Sequence, residues 1–225
     1  MFGKNKSRNY VSGPRELIVE RQPKSPVSEQ FRTVRTNIMY SNIDTEIKTV
    51  LVTSATPGAG KSTTAANLAV AYAQSGKRTV LIDADLRRPT THYTFEVTNQ
   101  RGMSTAIVQD VPVENIVKET EVENLDIITS GPIPPNPSEL LSSNKMIHML
   151  KTFSMHYDMV IIDSPPLLAV PGCTRRAVTA VSVWDRRQLP GRTVCGRRHG
   201  TSRAVPEQKK TVSSYVVPKL PPLQS

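Results

Sequence analysis

The sequence is short of three things, and each shortage removes a class of protein. It has no stretch approaching the roughly 18 consecutive apolar residues of a membrane-spanning helix. Its opening, MFGKNKSRNYVSGPRELIVERQPKSP, is polar and lacks the apolar core of a secretory signal, so a cytoplasmic setting is expected. Only two cysteines occur, Cys173 and Cys195, too few for a disulfide framework or a zinc site, and both read as free thiols. Acidic residues are scarce at one end only: residues 1–170 hold 18 Lys and Arg against 17 Asp and Glu, whereas 171–225 hold 11 against 2. The formal net charge of +10 therefore belongs almost wholly to the last quarter, and no nucleic-acid partner is expected for the rest.

What is present is an alternation. A chain of 225 residues suffices for one well-buried domain with appendages. Residues 1–25 mix charge, Gly and Pro and read as a flexible arm. Ser25-Pro26 then supplies a helix cap followed by proline at the first helical position, and Val27, Phe31, Val34 and Ile38 recur at helical spacing, which predicts an amphipathic helix over about 26–40. Beyond it, short Val- and Ile-rich runs at 49–53, 79–82, 125–128 and 159–162 alternate with helical patterns at 61–75, 103–109, 112–119 and 138–154. The stiff stretch Gly131 to Ser138 places Ser138 to cap the last of these helices. The pattern predicts an α/β fold, a mostly parallel sheet flanked by helices, over 26–170, and the loop motif described next makes it one of the phosphate-loop NTPase type.

Three stretches carry chemistry. In TSATPGAGKST, an apolar run leads through a Gly-rich turn into a helix, the context a phosphate-binding loop requires. Residues Thr56, Pro57, Gly58, Ala59, Gly60, Lys61, Ser62 and Thr63 would wrap a nucleotide's phosphates: the glycines permit close backbone approach, the helix N-terminus favours anions, and Lys61 neutralises the β/γ charge. Ser62 would ligate magnesium. Ala55 stands where the consensus has its first glycine. VLIDADLRRP ends a strand in Asp83 and Asp85 at the edge where α/β sheets bind ligands, and such a pair suits magnesium coordination or proton abstraction. MVIIDSPP ends another strand in Asp163, matching the acidic strand end that supports magnesium in phosphate-loop enzymes.

With these motifs in this order, the sequence from about Glu16 to Val170 resembles the bacterial tyrosine kinases that regulate capsule and exopolysaccharide synthesis, relatives of the division-site and chromosome-partitioning ATPases. SGPIPPNPSELL resembles the family's segment between the second and third motifs. The resemblance implies ATP and Mg2+ as cofactors, Lys61 on the β/γ phosphates, Ser62 and Asp85 on magnesium with Asp163 in support, and Asp83 as candidate base, although Asp83 and Asp85 remain interchangeable at this point. Glu29, Arg32 and Arg35 are similar to the family's oligomerisation motif; taken alone, they would be a solvated pair on a helix, a contact of about 0.2–0.5 kcal/mol. A membrane adaptor, a homo-oligomer built through the first long helix, and tyrosine-bearing protein substrates are implied as partners, at the inner face of the membrane. Two other readings stand beside the kinase: an ATPase switch of the partitioning type, and a truncated nucleotide-binding or interaction module.

The resemblance fails after Val170. The family's sheet continues there, whereas this chain turns to PGCTRRAVTAVSVWDRR, rich in Arg and without sustained period, and its six tyrosines are scattered at 10, 40, 72, 93, 157 and 215 rather than clustered. Residues 171–225 read as a basic, irregular tail or as out-of-frame sequence, with the last strands of the fold missing. Translating all frames of the gene from the Asp163 codon decides between them: a frame restoring strands, helices and a tyrosine cluster is expected, and its absence would establish the basic tail as genuine.

Overall fold

The computed structural model describes residues 15–41, 46–54 and 57–166, together with the strand backbones of 179–184 and 214–217. Chain order is α1 (Ile18–Arg21), α2 (Pro26–Met39), β1 (Thr49–Ser54), α3 (Lys61–Ala73), β2 (Thr79–Asp83), α4 (Thr91–Thr94), α5 (Met103–Gln109), β3 (Val117–Glu119), β4 (Leu125–Ile128), α6 (Pro137–Leu141), α7 (Asn144–His156), β5 (Met159–Asp163), β6 (Thr179–Trp184) and β7 (Ser214–Val217). One sheet forms, ordered β3-β4-β2-β5-β1-β6-β7. The central four strands, β4, β2, β5 and β1, are parallel, and antiparallel strands close both sides.

Alternation along the central strands divides the core into two layers. Leu81 of β2 and Met159 and Ile161 of β5 face α1, α2 and α3, while Val80, Ile82, Val160 and Ile162 face α5, α6 and α7. Both faces are covered, so these strands are apolar throughout, as a helix-wrapped parallel sheet demands. Helix α3 is buried nearly all round, from Thr64 to Ala73. Its run of alanines lets the helix backbone approach its neighbours closely, and Leu68 and Tyr72 are wholly buried, the Tyr72 hydroxyl donating to the Arg35 carbonyl of α2 at 3.4 Å.

The expected strands match within a residue, and α2 begins as anticipated: the Ser25 side chain accepts the Ser28 N–H at 3.2 Å, with Pro26 at the first position. Four expectations are corrected. Residues 15–25 are no loose arm, since Leu17, Ile18 and Val19 are buried against α3. The helix anticipated at 112–119 is a 3-10 turn (Val113–Asn115) leading into β3, because pairing with β4 captures β-branched Val117. The helix anticipated over 138–154 is two, α6 and α7. Ser143 divides them: its hydroxyl binds the Leu140 carbonyl at 2.8 Å and accepts the Met146 N–H at 3.2 Å, ending one helix and capping the next. Ser138 therefore caps nothing and instead accepts a hydrogen bond from Arg87 at 3.1 Å.

Two stretches of the segment expected to be irregular, TAVSVW and SYVV, are strands, as their β-branched and aromatic content allows. Strand β6 lies antiparallel on β1, opposite β5, so the sheet continues past the phosphate-loop strand by an antiparallel pair. Cys173 and Cys195 lie outside the described residues.

Leu68 is fully buried in the core that α3 shares with α2 and the sheet. Leu68→Ala is expected to destabilise the fold by about 2–5 kcal/mol, read from urea unfolding followed by circular dichroism.

Candidate functional site

The loop after β1 reaches α3 through Gly58 and Gly60, which adopt φ of +75° and +92°. Gly60 occupies the left-handed region at the helix cap, where a side chain would be strained, and its carbonyl accepts the Thr64 N–H at 2.8 Å, starting the helix. Pro57 to Thr63 thus form the expected turn and helix start, while Thr56 lies outside the described residues. The next side chain, Lys61, is buried and turned across the sheet's carboxyl edge.

Strand pairing assembles the rest. Strands β2 and β5 run parallel in a register that aligns Asp83 with Asp163, and β1 places Val52 beside Asp163 on its other side. Two strand-end carboxylates thereby meet next to the phosphate loop. The Lys61 ammonium lies 2.9 Å from Asp85 Oδ2, 3.2 Å from Asp163 Oδ1 and 3.2 Å from Ser62 Oγ. Asp85 is itself held by the Arg88 N–H, 3.1 Å from its Oδ1. Asp83, with no exposed surface, accepts N–H groups from Asp85 at 3.2 Å, Thr90 at 3.1 Å and Thr91 at 3.0 Å. The support from Thr90 and Thr91 was not anticipated, and because backbone N–H groups supply it, which any residue but proline carries, the threonines themselves give no sequence signal for it.

Three carboxylates around one lysine leave a formal surplus of two negative charges in a buried place. Burial pushes Asp163 up to about 7, the Asp83 charge adds to the shift, and Lys61 opposes it. Burial likewise raises Asp83, against the opposing N–H groups of Thr91 and Thr90 and the charge of Lys61. Burial alone would lower Lys61, but Asp163 and Asp85 outweigh it and keep the ammonium charged. Asp163 Oδ2 is buried and, among the described residues, accepts no hydrogen bond. A divalent cation fits this arrangement: its charge equals the surplus, and a bare carboxylate oxygen, Asp85 and a serine hydroxyl stand together. Among the described residues no three His, Cys, Asp or Glu side chains form a metal cage. One or two carboxylates with water and phosphate oxygens is the shell Mg2+ prefers.

A family model described as an AAA domain matches residues 47–181. The tyrosine-protein kinase YwqD of Bacillus subtilis (strain 168) is 51% identical over 156 residues, which make up 69% of this chain and 66% of that protein. The putative tyrosine-protein kinase CapB of Staphylococcus aureus is 47% identical over 154 residues, 68% of each chain. This chain belongs to the bacterial tyrosine-protein kinases. The kinase domain of the Escherichia coli tyrosine kinase ETK superposes with a TM-score of 0.66 at 36% identity, covering 69% of this chain and 61% of that one. The chain thus spans about two thirds of the length of the two curated relatives.

In this tyrosine-kinase chain the three residues of the expected oligomerisation motif are not equivalent. Glu29 and Arg32 form an exposed ion pair on α2. Arg35 turns inward, donating to the Ala71 carbonyl of α3 at 2.8 Å, so part of its hydrogen bonding serves the subunit itself.

The raised Asp163 carries a pH signature. A carboxyl that binds its proton more tightly when folded favours the folded state at low pH, so stability falls as pH rises from the ordinary value of 3.8 towards about 7. In chelator, the wild-type melting temperature is expected to drop between about pH 4 and 7 and to level off above, a loss of stability of at most about 1.4 kcal/mol per pH unit from this group. Asp163→Asn should flatten that drop in differential scanning fluorimetry; an undiminished slope would refute the assignment.

Proposed function

We propose that this chain transfers the γ-phosphoryl group of ATP to tyrosine, as the cytoplasmic kinase subunit of a system controlling capsular or exopolysaccharide synthesis. The observation that carries the reading is the Lys61 ammonium held between Asp85 and Asp163 at the end of a phosphate loop.

Lys61 would exchange its carboxylate partners for the β and γ phosphate oxygens, guided by the backbone N–H groups at the start of α3. Ser62 and Asp85 would hold magnesium, with Asp163 in support. The ion supplies charge neutralisation on the transferred phosphoryl group. Asp83 fits the role of base better than Asp85. It has no direct lysine partner, burial raises its affinity for a proton, and three N–H groups fix its orientation. Asp85 is instead tied to Lys61 and the Arg88 N–H. A tyrosine hydroxyl, with an ordinary pKa near 10, needs such an acceptor as phosphoryl transfer proceeds.

Among the described tyrosines, Tyr72 is wholly buried and Tyr157 donates to Asp126 at 2.7 Å, whereas Tyr40 and Tyr93 are 76% and 45% exposed. The exposed ones are open to phosphorylation by a neighbouring copy, and a homo-oligomer formed through Glu29 and Arg32 of α2 would bring copies together. Among the described residues no helix is long and apolar enough to cross a membrane. Family resemblance supports a separate membrane adaptor that recruits the kinase.

With Mg-ATP, the wild-type chain is expected to form phosphotyrosine, and Lys61→Met to lose it by about 100-fold or more. Anti-phosphotyrosine blotting alongside a phosphate-release assay checks this. Phosphate release without phosphotyrosine would reject the kinase reading in favour of an ATPase.

A further inference from the structure

Asn67 is fully buried on α3, one helical turn beyond Thr63, and it uses both ends of its amide. Its Nδ2 donates to the Thr63 carbonyl at 2.9 Å and to the Glu16 carbonyl at 2.8 Å, and its Oδ1 accepts the Val19 N–H at 3.0 Å. Thr63 belongs to the first turn after the phosphate loop, while Glu16 and Val19 belong to the segment before α2. A single side chain therefore ties the N-terminal segment to the start of the phosphate-loop helix.

The same segment touches the other half of the site. The Arg15 N–H donates to Thr94 Oγ1 at 3.1 Å, and that hydroxyl donates to the Thr90 carbonyl at 3.2 Å. Thr90 in turn gives its N–H to Asp83. Residues 15–19 thus bridge the helix that starts at Lys61 and the turn that orients Asp83. At its far end the segment is held by Gln74, whose Nε2 donates to the Val19 carbonyl at 3.3 Å, and by Ser28 of α2, whose hydroxyl lies 2.7 Å from the Gln22 carbonyl.

We propose that Asn67 is a positioning residue of the nucleotide site: through its bonds to Thr63, Glu16 and Val19 it uses residues 15–19 as a strap that fixes the first turn of the phosphate-loop helix. This rests on the nucleotide-binding reading above. The strap acts on phosphate affinity because the backbone N–H groups at the helix start are the phosphate ligands, and a donor shifted by a fraction of an ångström loses much of its hydrogen bond.

The test is Mg-ADP binding to the full chain by isothermal titration, well below the melting temperature, for wild type, Asn67→Ala and Gln74→Leu. Gln74→Leu removes a strap contact remote from the phosphate loop, so it reports loss of docking alone. Asn67→Ala is expected to raise the Kd for Mg-ADP about tenfold, and Gln74→Leu to lower the melting temperature while leaving that Kd unchanged. An unchanged Kd in Asn67→Ala, or equal shifts in both variants, would overturn the inference. Should Asn67→Ala fail to fold, Asn67→Ser is read by the same criterion: it is uncharged and too short to reach the Glu16 carbonyl or the Val19 N–H. A wild-type chain that binds no Mg-ADP would refute the nucleotide reading and this inference with it, whereas unchanged affinity in the variants refutes the inference alone.

Discussion

The architecture of the site depends on one unbalanced electrostatic arrangement: a buried lysine faces three buried carboxylates, two at the ends of adjacent strands and one just beyond. Removing charges from water is expensive unless they are paired and hydrogen-bonded. Here Lys61 pairs directly with Asp85 and Asp163, Asp83 is supported by backbone N–H groups, and among the described residues the remaining negative charge has no counter-charge. Such a cluster is poor design for stability alone. It is well suited to a site whose missing charges arrive with a ligand, because a cation and an anionic nucleotide together exchange partners with the lysine and leave every group satisfied.

The fold keeps that arrangement rigid at small cost. Parallel strands β2 and β5 terminate in register, so Asp83 and Asp163 are aligned by main-chain hydrogen bonds rather than by loops. The Ala84 N–H donates to the Asp163 carbonyl at 2.9 Å, extending the pairing one residue past Asp83. Because both faces of these strands are buried, a one-residue slip in register would exchange the side chains of the two close-packed layers and misfit both. The carboxylates are therefore positioned by the whole core.

Much of this was legible in the sequence because its signals are local. The Val- and Ile-rich runs, the glycines before Lys61 and the Ser25-Pro26 cap each specify their conformation within a few residues, and the strand-end aspartates follow from them. What was not legible depends on partners distant in sequence. Val117 reads as helix until β4 pairs with it, and Leu17 to Val19 read as a loose arm until α3 covers them. The support from Thr90 and Thr91 becomes meaningful only once Asp83 is known to lie under it. Asn67 sits in an Ala-rich helical run where nothing nearby shows that its amide serves a segment 48 residues away.

That distant contact bears on how such a chain could be controlled. Helix α2 carries the exposed Glu29–Arg32 pair on its outer side, and on its inner side Ser28 holds the strap at the Gln22 and Ile18 carbonyls. The strap then runs to Asn67 and to Thr94. A subunit or adaptor bound to the outside of α2 is thus separated from the phosphate-loop helix by one packed helix and a few hydrogen bonds, with no mobile linker between. Coupling of this kind needs only a small displacement, since close-packed elements transmit shifts rather than absorb them. It also explains why three apolar residues are buried in a mostly polar segment before α2: Leu17, Ile18 and Val19 supply the packing that lets a short stretch of backbone act as a stiff connection.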